Sequence, residues 1–490
     1  MINVVCIGHD YSYELIELLK LSYRPDEIIL LDSYEGLVRG ETFLKTIIKR
    51  EKEKISVSAT LMAEGYNQAL KESFFITEED PHTMKKECKL LLKRLTYKLF
   101  SSFTNKTLPW GILTGIRPTK IVHDLMEKGN DEKAITEKLL GQYFLEMDKA
   151  NLLLDVAKRE HPIIYPIRED LISLYISIPF CPSRCTYCSF PSNILEKSKD
   201  LQQPYLDALI YELEQVAAMV NNHGKRLQTI YVGGGTPSTL TVVKIQQLLK
   251  AIQNSFNLSE LKEFTFEAGR PDTINEEKLI ALRDMGITRI SINPQTMNDG
   301  TLQAVGRNHT VKELEEAYHL AKRVGFDNIN MDLIIGLPGE NPTMIEKTME
   351  RIQKLNPVSL TVHTLALKRA SKLKEEINSH EVSEGEGQRM LEITKSYAAM
   401  MELKPYYMYR QKHMLGHLEN IGYCKDGYEG IYNIQIMEEK QTIIALGAGA
   451  VSKMVYPSEN RLERVPNVKN LQDYIERVGE MVERKKVYFP

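Results

Sequence analysis

The chain has 490 residues, with 63 Lys and Arg against 66 Asp and Glu and a formal net charge of −3. That length allows a large core and two to four domains, and the balanced charge leaves no electrostatic footprint for nucleic acid. Six cysteines, a start (Met1-Ile-Asn-Val-Val-Cys6-Gly-His-Asp) unlike a signal peptide, and no apolar run as long as a membrane span argue for a reducing, cytoplasmic setting without stable membrane insertion.

Residues 1–75 carry strand-like runs at 3–5, 27–31 and 55–59 and a helical stretch near 13–21, which predicts a small α+β module. From about 81 to 160 the pattern turns helical. A long amphipathic helix is expected over 84–103, Asp131 is placed to cap a helix over 132–140, and another helix is expected over 146–159. Between them lies Trp110-Gly-Ile-Leu-Thr-Gly-Ile-Arg-Pro-Thr-Lys120, with the only tryptophan of the chain. It reads either as a turn leading into a helix that starts at Arg117-Pro118, or as a surface that helps close a site over an anionic group. His161-Pro162 and Tyr165-Pro166 mark a boundary, because a residue before proline is pushed out of helix.

From about 171 to 366, strand candidates at 173–178, 228–232, 263–267, 289–293, 329–335 and 359–365 alternate with helical candidates at 202–221, 242–256, 276–285, 311–324 and 342–355. Six strands with five intervening helices predict parallel pairing through right-handed crossovers, hence an α/β open partial (β/α)6 barrel. Ligands of such an assembly gather at the carboxyl ends of the strands. A helix over 389–402, a tyrosine-rich strand over 405–409, apolar runs at 431–437 and 442–450 and a final helix near 471–483 form a C-terminal α+β unit that extends or caps the barrel. The expected domains are therefore 1–165, 166–370 and 371–490.

The stretch Tyr175-Ile-Ser-Ile-Pro-Phe-Cys181-Pro-Ser-Arg-Cys185-Thr-Tyr-Cys188 sets three cysteines at C-x3-C-x2-C spacing directly after the first barrel strand. Thiolates this close in a compact loop are soft ligands for an Fe–S cluster or zinc. Three of them can hold three irons of a [4Fe–4S] cube and leave the fourth iron open to a small chelator. A structural zinc site needs four closed ligands, and the nearest histidines are His161 and His223. Cys6, Cys88 and Cys424 stand singly and read as buried small hydrophobes.

Polar motifs fall at the ends of the later strands. Gly233-Gly234-Gly235-Thr236 removes side chains, so backbone can approach a ligand closely. Glu267 closes the third strand and Asn293-Pro-Gln295 the fourth. Arg307 offers a planar fork suited to a carboxylate, and His309 suits either a substrate donor or a helix cap. Asp332 puts a charge inside an apolar strand and so needs a partner. Gly336-Leu-Pro-Gly339 forms a turn after it, and His363, Thr364 and Leu365 border the end of the sixth strand.

The three-cysteine motif with Tyr187 before its last cysteine resembles the signature of the radical S-adenosylmethionine superfamily. Ile-Pro-Phe-Cys181 resembles the branch holding oxygen-independent coproporphyrinogen III dehydrogenases and the related heme chaperones, and the Trp110–Lys120 motif resembles the HemZ-type proteins of that branch. The resemblance covers roughly residues 170–455. It implies a radical enzyme in which Cys181, Cys185 and Cys188 bind a [4Fe–4S] cluster whose open iron chelates S-adenosylmethionine. Reductive cleavage of that cofactor would give a 5′-deoxyadenosyl radical that abstracts hydrogen. Tyr175, Tyr187, Gly234, Gly235, Thr236, Glu267, Gln295, Arg307 and Asp332 would contact the cofactor: the glycine loop and Glu267 its amine, Arg307 its carboxylate, Gln295 and Asp332 its ribose. The Gly447-Ala-Gly449 segment would be structural. The implied reaction is oxidative decarboxylation of two propionates of coproporphyrinogen III to give protoporphyrinogen IX, in heme biosynthesis, with a flavodoxin or ferredoxin as electron donor. Alternatives are a heme chaperone and a radical enzyme acting on another tetrapyrrole. Two positions depart from the dehydrogenase pattern: Ser177 stands where it has a histidine, and Phe190 where it has a further cysteine. The N-terminal extension is expected to shield the barrel mouth, with Arg117 or Lys120 meeting substrate propionates.

Overall fold

The computed structural model describes residues 1–32, 41–76, 81–115, 117–366, 382–411, 414 and 417–489. Ile116 of the tryptophan motif and the expected boundary at 370 lie outside them. The chain divides into two compact units, Met1–Leu154 and Asp155–Pro490, and the division falls within the helix Met147–Ile164.

The first unit is built on a five-stranded sheet of β1 (Ile2–Ile7), β2 (Ile28–Leu31), β3 (Thr42–Arg50), β4 (Lys54–Ala63) and β5 (Tyr66–Phe75), in the order β2-β1-β3-β4-β5. Strand β1 runs parallel to β2 and β3, and the β3–β4–β5 meander is antiparallel. The alternation Ile55, Val57, Ala59, Leu61 on β4 puts one face into a core shared with Leu15 and Leu19 of helix Ser12–Leu19 and Leu92, Leu95 and Leu99 of helix Pro81–Thr104. Strands β3 and β5 escape the sequence reading. Strand β5 is an edge strand whose Asn67, Gln68, Lys71 and Glu72 hide its period. Asp131 caps helix Glu132–Gly141 as expected, accepting the Ala134 N–H at 2.8 Å. Pro118 stands at the N-cap of helix Thr119–Glu127 rather than at its first residue. The proline boundary at 162 needs correction. The helix runs through Pro162 to Ile164, because a proline within the last turn sacrifices one hydrogen bond just where the helix ends.

In the second unit the strands are β6 (Leu171–Ile178), the short pair β7 (Phe180–Cys181) and β8 (Asn193–Ile194), β9 (Arg226–Gly234), β10 (Glu263–Glu267), β11 (Arg289–Ser291), β12 (Ile329–Ile335), β13 (Ser359–Thr364), β14 (Lys404–Tyr409), β15 (Asn420–Cys424), β16 (Ile443–Leu446), β17 (Val451–Tyr456) and β18 (Arg461–Pro466). The main sheet is ordered β14-β15-β13-β12-β11-β10-β9-β6-β16-β17-β18. Its six central strands are parallel neighbours in chain order, joined by helices Gln202–Asn222, Val242–Ser255, Glu276–Asp284, Val311–Val324 and Pro342–Leu355. Winding always in one direction leaves all the loops after the strands on one rim, as in a partial barrel that remains open. The expected six strands and five helices are thus all present.

The C-terminal segment extends both edges of this sheet. Strand β16 pairs parallel to β6, with β17 and β18 antiparallel beyond it, while β15 pairs antiparallel to β13 and β14 antiparallel to β15. Residues 431–437 fall in a helix, Ile431–Glu438, whose first N–H groups are accepted by the buried Glu263 carboxylate at the start of β10. The final helix breaks at Arg477 into Leu471–Glu476 and Val478–Lys486.

Glu212 and Lys485 form a buried ion pair at 2.7 Å, with side chains 0% and 1% exposed. Glu212 also accepts from Gly447 N, Tyr474 Oη and Asn467 Nδ2, and Lys485 also donates to Asn467 Oδ1. Removing one partner of such a pair strands a charge in the interior, a loss of about 3–5 kcal/mol. Lys485→Met should therefore lower the denaturation midpoint markedly, measured by urea unfolding; a midpoint within error of the unaltered protein would show that the pair is energetically neutral.

Candidate active site

The cysteine loop hangs from the end of β6. Strand β7 carries Cys181 and pairs with β8, and the turn closes with Cys188 N donating to Cys185 O at 3.2 Å. Two contacts with the segment before Arg307 brace the loop: Ser183 Oγ to Gly306 O at 2.7 Å and Thr186 N to Val305 O at 3.1 Å. Burial raises the Cys181 thiol, its Thr236 hydrogen bond lowers it, and the neighbouring Cys188 and Cys185 raise it further. The structure thus brings the three expected cysteines together. Cys88 and Cys424 are buried elsewhere, and Cys6 is half-buried.

The glycine loop lies directly against them. Gly235 N donates to Ile178 O and Thr236 N to Phe180 O, while the Thr236 hydroxyl reaches Cys181 Sγ at 3.5 Å. A Cβ on Gly235 would come within 2.6 Å of Phe180 O and 3.0 Å of Cys181 Sγ, and Gly234 holds φ at +112°. Only glycine fits both positions without moving the cysteine strand.

The remaining expected residues line the strand ends. Glu267 accepts the Tyr231 hydroxyl at 2.5 Å, so it is no freely solvated charge. Burial raises it to about 7; the Tyr231 hydrogen bond and the Gly234 N–H oppose the rise, and the Asp332 charge adds to it. Tyr175 and Tyr231, paired in register on β6 and β9, stack on one another and on Tyr432 of helix Ile431–Glu438, with centroids 4.5–6.2 Å apart. Asp332 finds the partner its position demands, accepting from Asn330 Nδ2 at 2.8 Å. It also lies 3.9 Å from His363 Nε2, whose ring is bonded through Nδ1 to the Tyr409 hydroxyl at 3.2 Å. Gln295 adopts φ +63° and bridges to β12 through backbone bonds with Asp332 and Ile334.

Arg307 donates to Gly269 O at 3.0 Å, Asn293 O at 2.7 Å and the hydroxyl of the half-buried Tyr187 at 3.5 Å. His309 is no helix cap; Thr310 caps Val311–Val324 with a full capping box. Burial and the charges of Arg307 and Arg270 lower the His309 imidazole to about 4. Sequence reasoning did not single out Arg270, Tyr231, Tyr409 or Tyr432, because their roles arise from neighbours far away in the chain.

Several features fit a polar cofactor on a cluster. Arg307 Nε and Gln295 Oε1 are buried with no hydrogen-bond partner among the described residues, the glycine loop packs against the cysteine strand as closely as only glycine allows, and three soft donors share one loop. Residues 175–352 match the family model of the Radical SAM superfamily. The class that fold and site define is therefore one whose members use a [4Fe–4S] cluster and S-adenosylmethionine.

Across 461 residues, 93% of this chain and 92% of the other, the protein is 37% identical to the oxygen-independent coproporphyrinogen-III oxidase-like protein HemZ of Bacillus subtilis. It is 29% identical to the heme chaperone HemW of Lactococcus lactis over 311 residues, 62% of this chain and 77% of that protein. The solved structure of coproporphyrinogen III oxidase (HemN) from Escherichia coli has the same fold, with a TM-score of 0.53 at 24% identity over 66% of this chain and 73% of that one. The chain belongs to the oxygen-independent coproporphyrinogen III oxidase-like family of radical SAM proteins.

The raised Glu267 gives a signed pH effect. Between the ordinary value of 4.5 and about 7, the folded chain holds a proton that the unfolded chain has lost. Stability therefore falls as pH rises through this window. Glu267→Gln keeps an acceptor for Tyr231 and lacks the titration, so its thermal midpoint relative to the unaltered protein should rise between pH 5 and pH 8. A pH-independent difference would show that Glu267 ionises as freely in the fold as out of it.

Proposed function

We propose that the protein is an oxygen-independent coproporphyrinogen III dehydrogenase that converts two propionates to vinyl groups, giving protoporphyrinogen IX. What carries the reading is the convergence of the three-cysteine loop, the glycine loop packed against it, and the Arg307 and Gln295 atoms that have no partner among the described residues. The similarity to HemZ supports it, because it runs through the N-terminal extension as well as the barrel. When bound, the cluster and S-adenosylmethionine supply one-electron cleavage to a hydrogen-abstracting radical.

The work of the chain is to hold and shield. Cys181, Cys185 and Cys188 hold the cluster. Glu267 and the backbone of Gly234, Gly235 and Thr236 receive the cofactor amine, Arg307 its carboxylate, and Gln295 and Asp332 its ribose, with Tyr175 and Tyr187 as aromatic walls. Each propionate would lose a β-hydrogen atom to the radical and then carbon dioxide and one electron. That electron equals the one spent on cleaving S-adenosylmethionine, which is thereby the net oxidant, and no side chain has to act as an acid or base in the abstraction. The electron that starts each turnover comes from a cytoplasmic donor of the flavodoxin or ferredoxin type.

A heme chaperone is the second reading, and Ser177 favours it. Where the dehydrogenase pattern has a histidine, the Ser177 hydroxyl is turned into the protein and donates to Ala448 O at 3.1 Å. Phe190, in place of the further cysteine, is 61% exposed.

Anaerobic, reconstituted protein with S-adenosylmethionine, reductant and coproporphyrinogen III should form protoporphyrinogen IX, and Cys188→Ala should lose both the cluster iron and the product. Stoichiometric heme binding without product would establish the chaperone instead. Asp332→Ala should weaken S-adenosylmethionine binding roughly ten- to hundredfold at full iron content, the equivalent of a lost hydrogen bond to a charged group of about 1.5–3 kcal/mol. Unchanged affinity in equilibrium dialysis would remove Asp332 from the cofactor site.

A further inference from the structure

We infer that Arg270 sets the reduction potential of the cluster by donating to the sulfur of Cys185. This rests on the proposal that Cys185 is a cluster ligand. Arg270 follows β10 in Ala268-Gly269-Arg270-Pro271 and is only 4% exposed. Its Nη1 lies 3.9 Å from Cys185 Sγ and 3.1 Å from Ser183 Oγ. The far side of the guanidinium is fixed by a two-point fork on Asp272, with Nε at 2.9 Å and Nη2 at 2.8 Å. The fork removes the rotational freedom of the planar group, so Nη1 is aimed at the cysteine loop rather than at solvent.

A cationic donor at a ligating sulfur stabilises the extra negative charge that the cluster takes up on reduction. Hydrogen bonds to sulfur, net charge and solvent exposure are the levers a protein has on Fe–S potentials. Arg270 combines the first two at a position where little solvent competes. It therefore raises the potential and eases the electron transfer that must precede cofactor cleavage. The bond to Ser183 also braces the loop, so activity alone would not separate tuning from bracing, whereas a potential does.

The test is an EPR-monitored redox titration of the anaerobically reconstituted full-length protein without S-adenosylmethionine, with iron and sulfide analysed first. Arg270→Gln should keep full iron and shift the midpoint to lower potential. Poised at the midpoint of the unaltered protein, its ratio of reduced to oxidised cluster should fall about tenfold, which is about 59 mV for a one-electron couple. Arg270→Lys, which retains the charge but not the fork, should shift less and in the same direction. Full iron with an unshifted potential in Arg270→Gln overturns the inference and leaves only the brace. If Arg270→Gln assembles no cluster, Arg270→Lys decides: a lowered potential sustains the inference and an unshifted one overturns it. If Cys185→Ser keeps full iron and the potential of the unaltered protein, the ligand assignment itself fails, and that result is read from the analysis before any arginine variant is compared.

Discussion

A carboxylate with no access to water, Glu212, ties the segment from Gly447 to Lys485 to the helix Gln202–Asn222 that follows β6. Four donors converge on it: Lys485, Tyr474, Asn467 and the N–H of Gly447. The isolated charge would be prohibitive in the interior, and the lysine with three further hydrogen bonds makes it tolerable. The consequence travels toward the site. The Gly447 turn continues into Ala448, whose N–H meets the Tyr205 hydroxyl, and that hydroxyl donates to Ser177 O at 2.6 Å. Ser177 lies four residues before Cys181, so the cysteine loop starts from a backbone position fixed by the C-terminal helices.

The rim faces polar demands and the interior beneath it apolar ones, and the strands separate the two. Strands β6 and β9 present Tyr175 and Tyr231 inward, and Tyr432 completes the stack from a helix anchored by Glu263. Aromatic rings in offset stacks fill volume without leaving backbone unpaired, and their hydroxyls supply donors where a carboxylate needs one. Glu267 receives such a donor. Low polarity below and a carboxylate neighbour beside it hold Glu267 near neutrality rather than in the usual carboxylate range. The parallel strand ends thus supply geometry, and the aromatic floor supplies the electrostatic setting.

How much of this is legible in the chain itself follows from the range of each interaction. The C-x3-C-x2-C spacing, the glycine run and the alternation of six strands with five helices are local patterns, and the residues they mark lie together on one rim. Asp332 announces itself as a charge in an apolar strand. The proline boundary at 162 misleads because the rule on residues before proline describes a tendency of the isolated backbone, and a last helical turn can absorb it. Strand β5 misleads because an edge strand with polar residues carries no clean alternation. Glu212 and Lys485 are 273 residues apart, and nothing near either one signals the pairing. Arg270 is invisible for the same reason: its partner Cys185 is 85 positions earlier.

Position 177 shows how a single departure from a family pattern can be embedded in its surroundings. The Ser177 hydroxyl donates to Ala448 O, and Gly447 packs so tightly that a Cβ there would lie 2.7 Å from Ser177 O and 3.1 Å from Ser177 Cβ. A larger side chain turned the same way would strike the 447–449 turn, whose Gly447 N–H is held by Glu212. The serine and the small residues of the turn therefore form one packing unit, and a histidine at 177 requires that unit to rearrange. The surroundings of residue 177 are thus shaped by the C-terminal segment as much as by the residue itself.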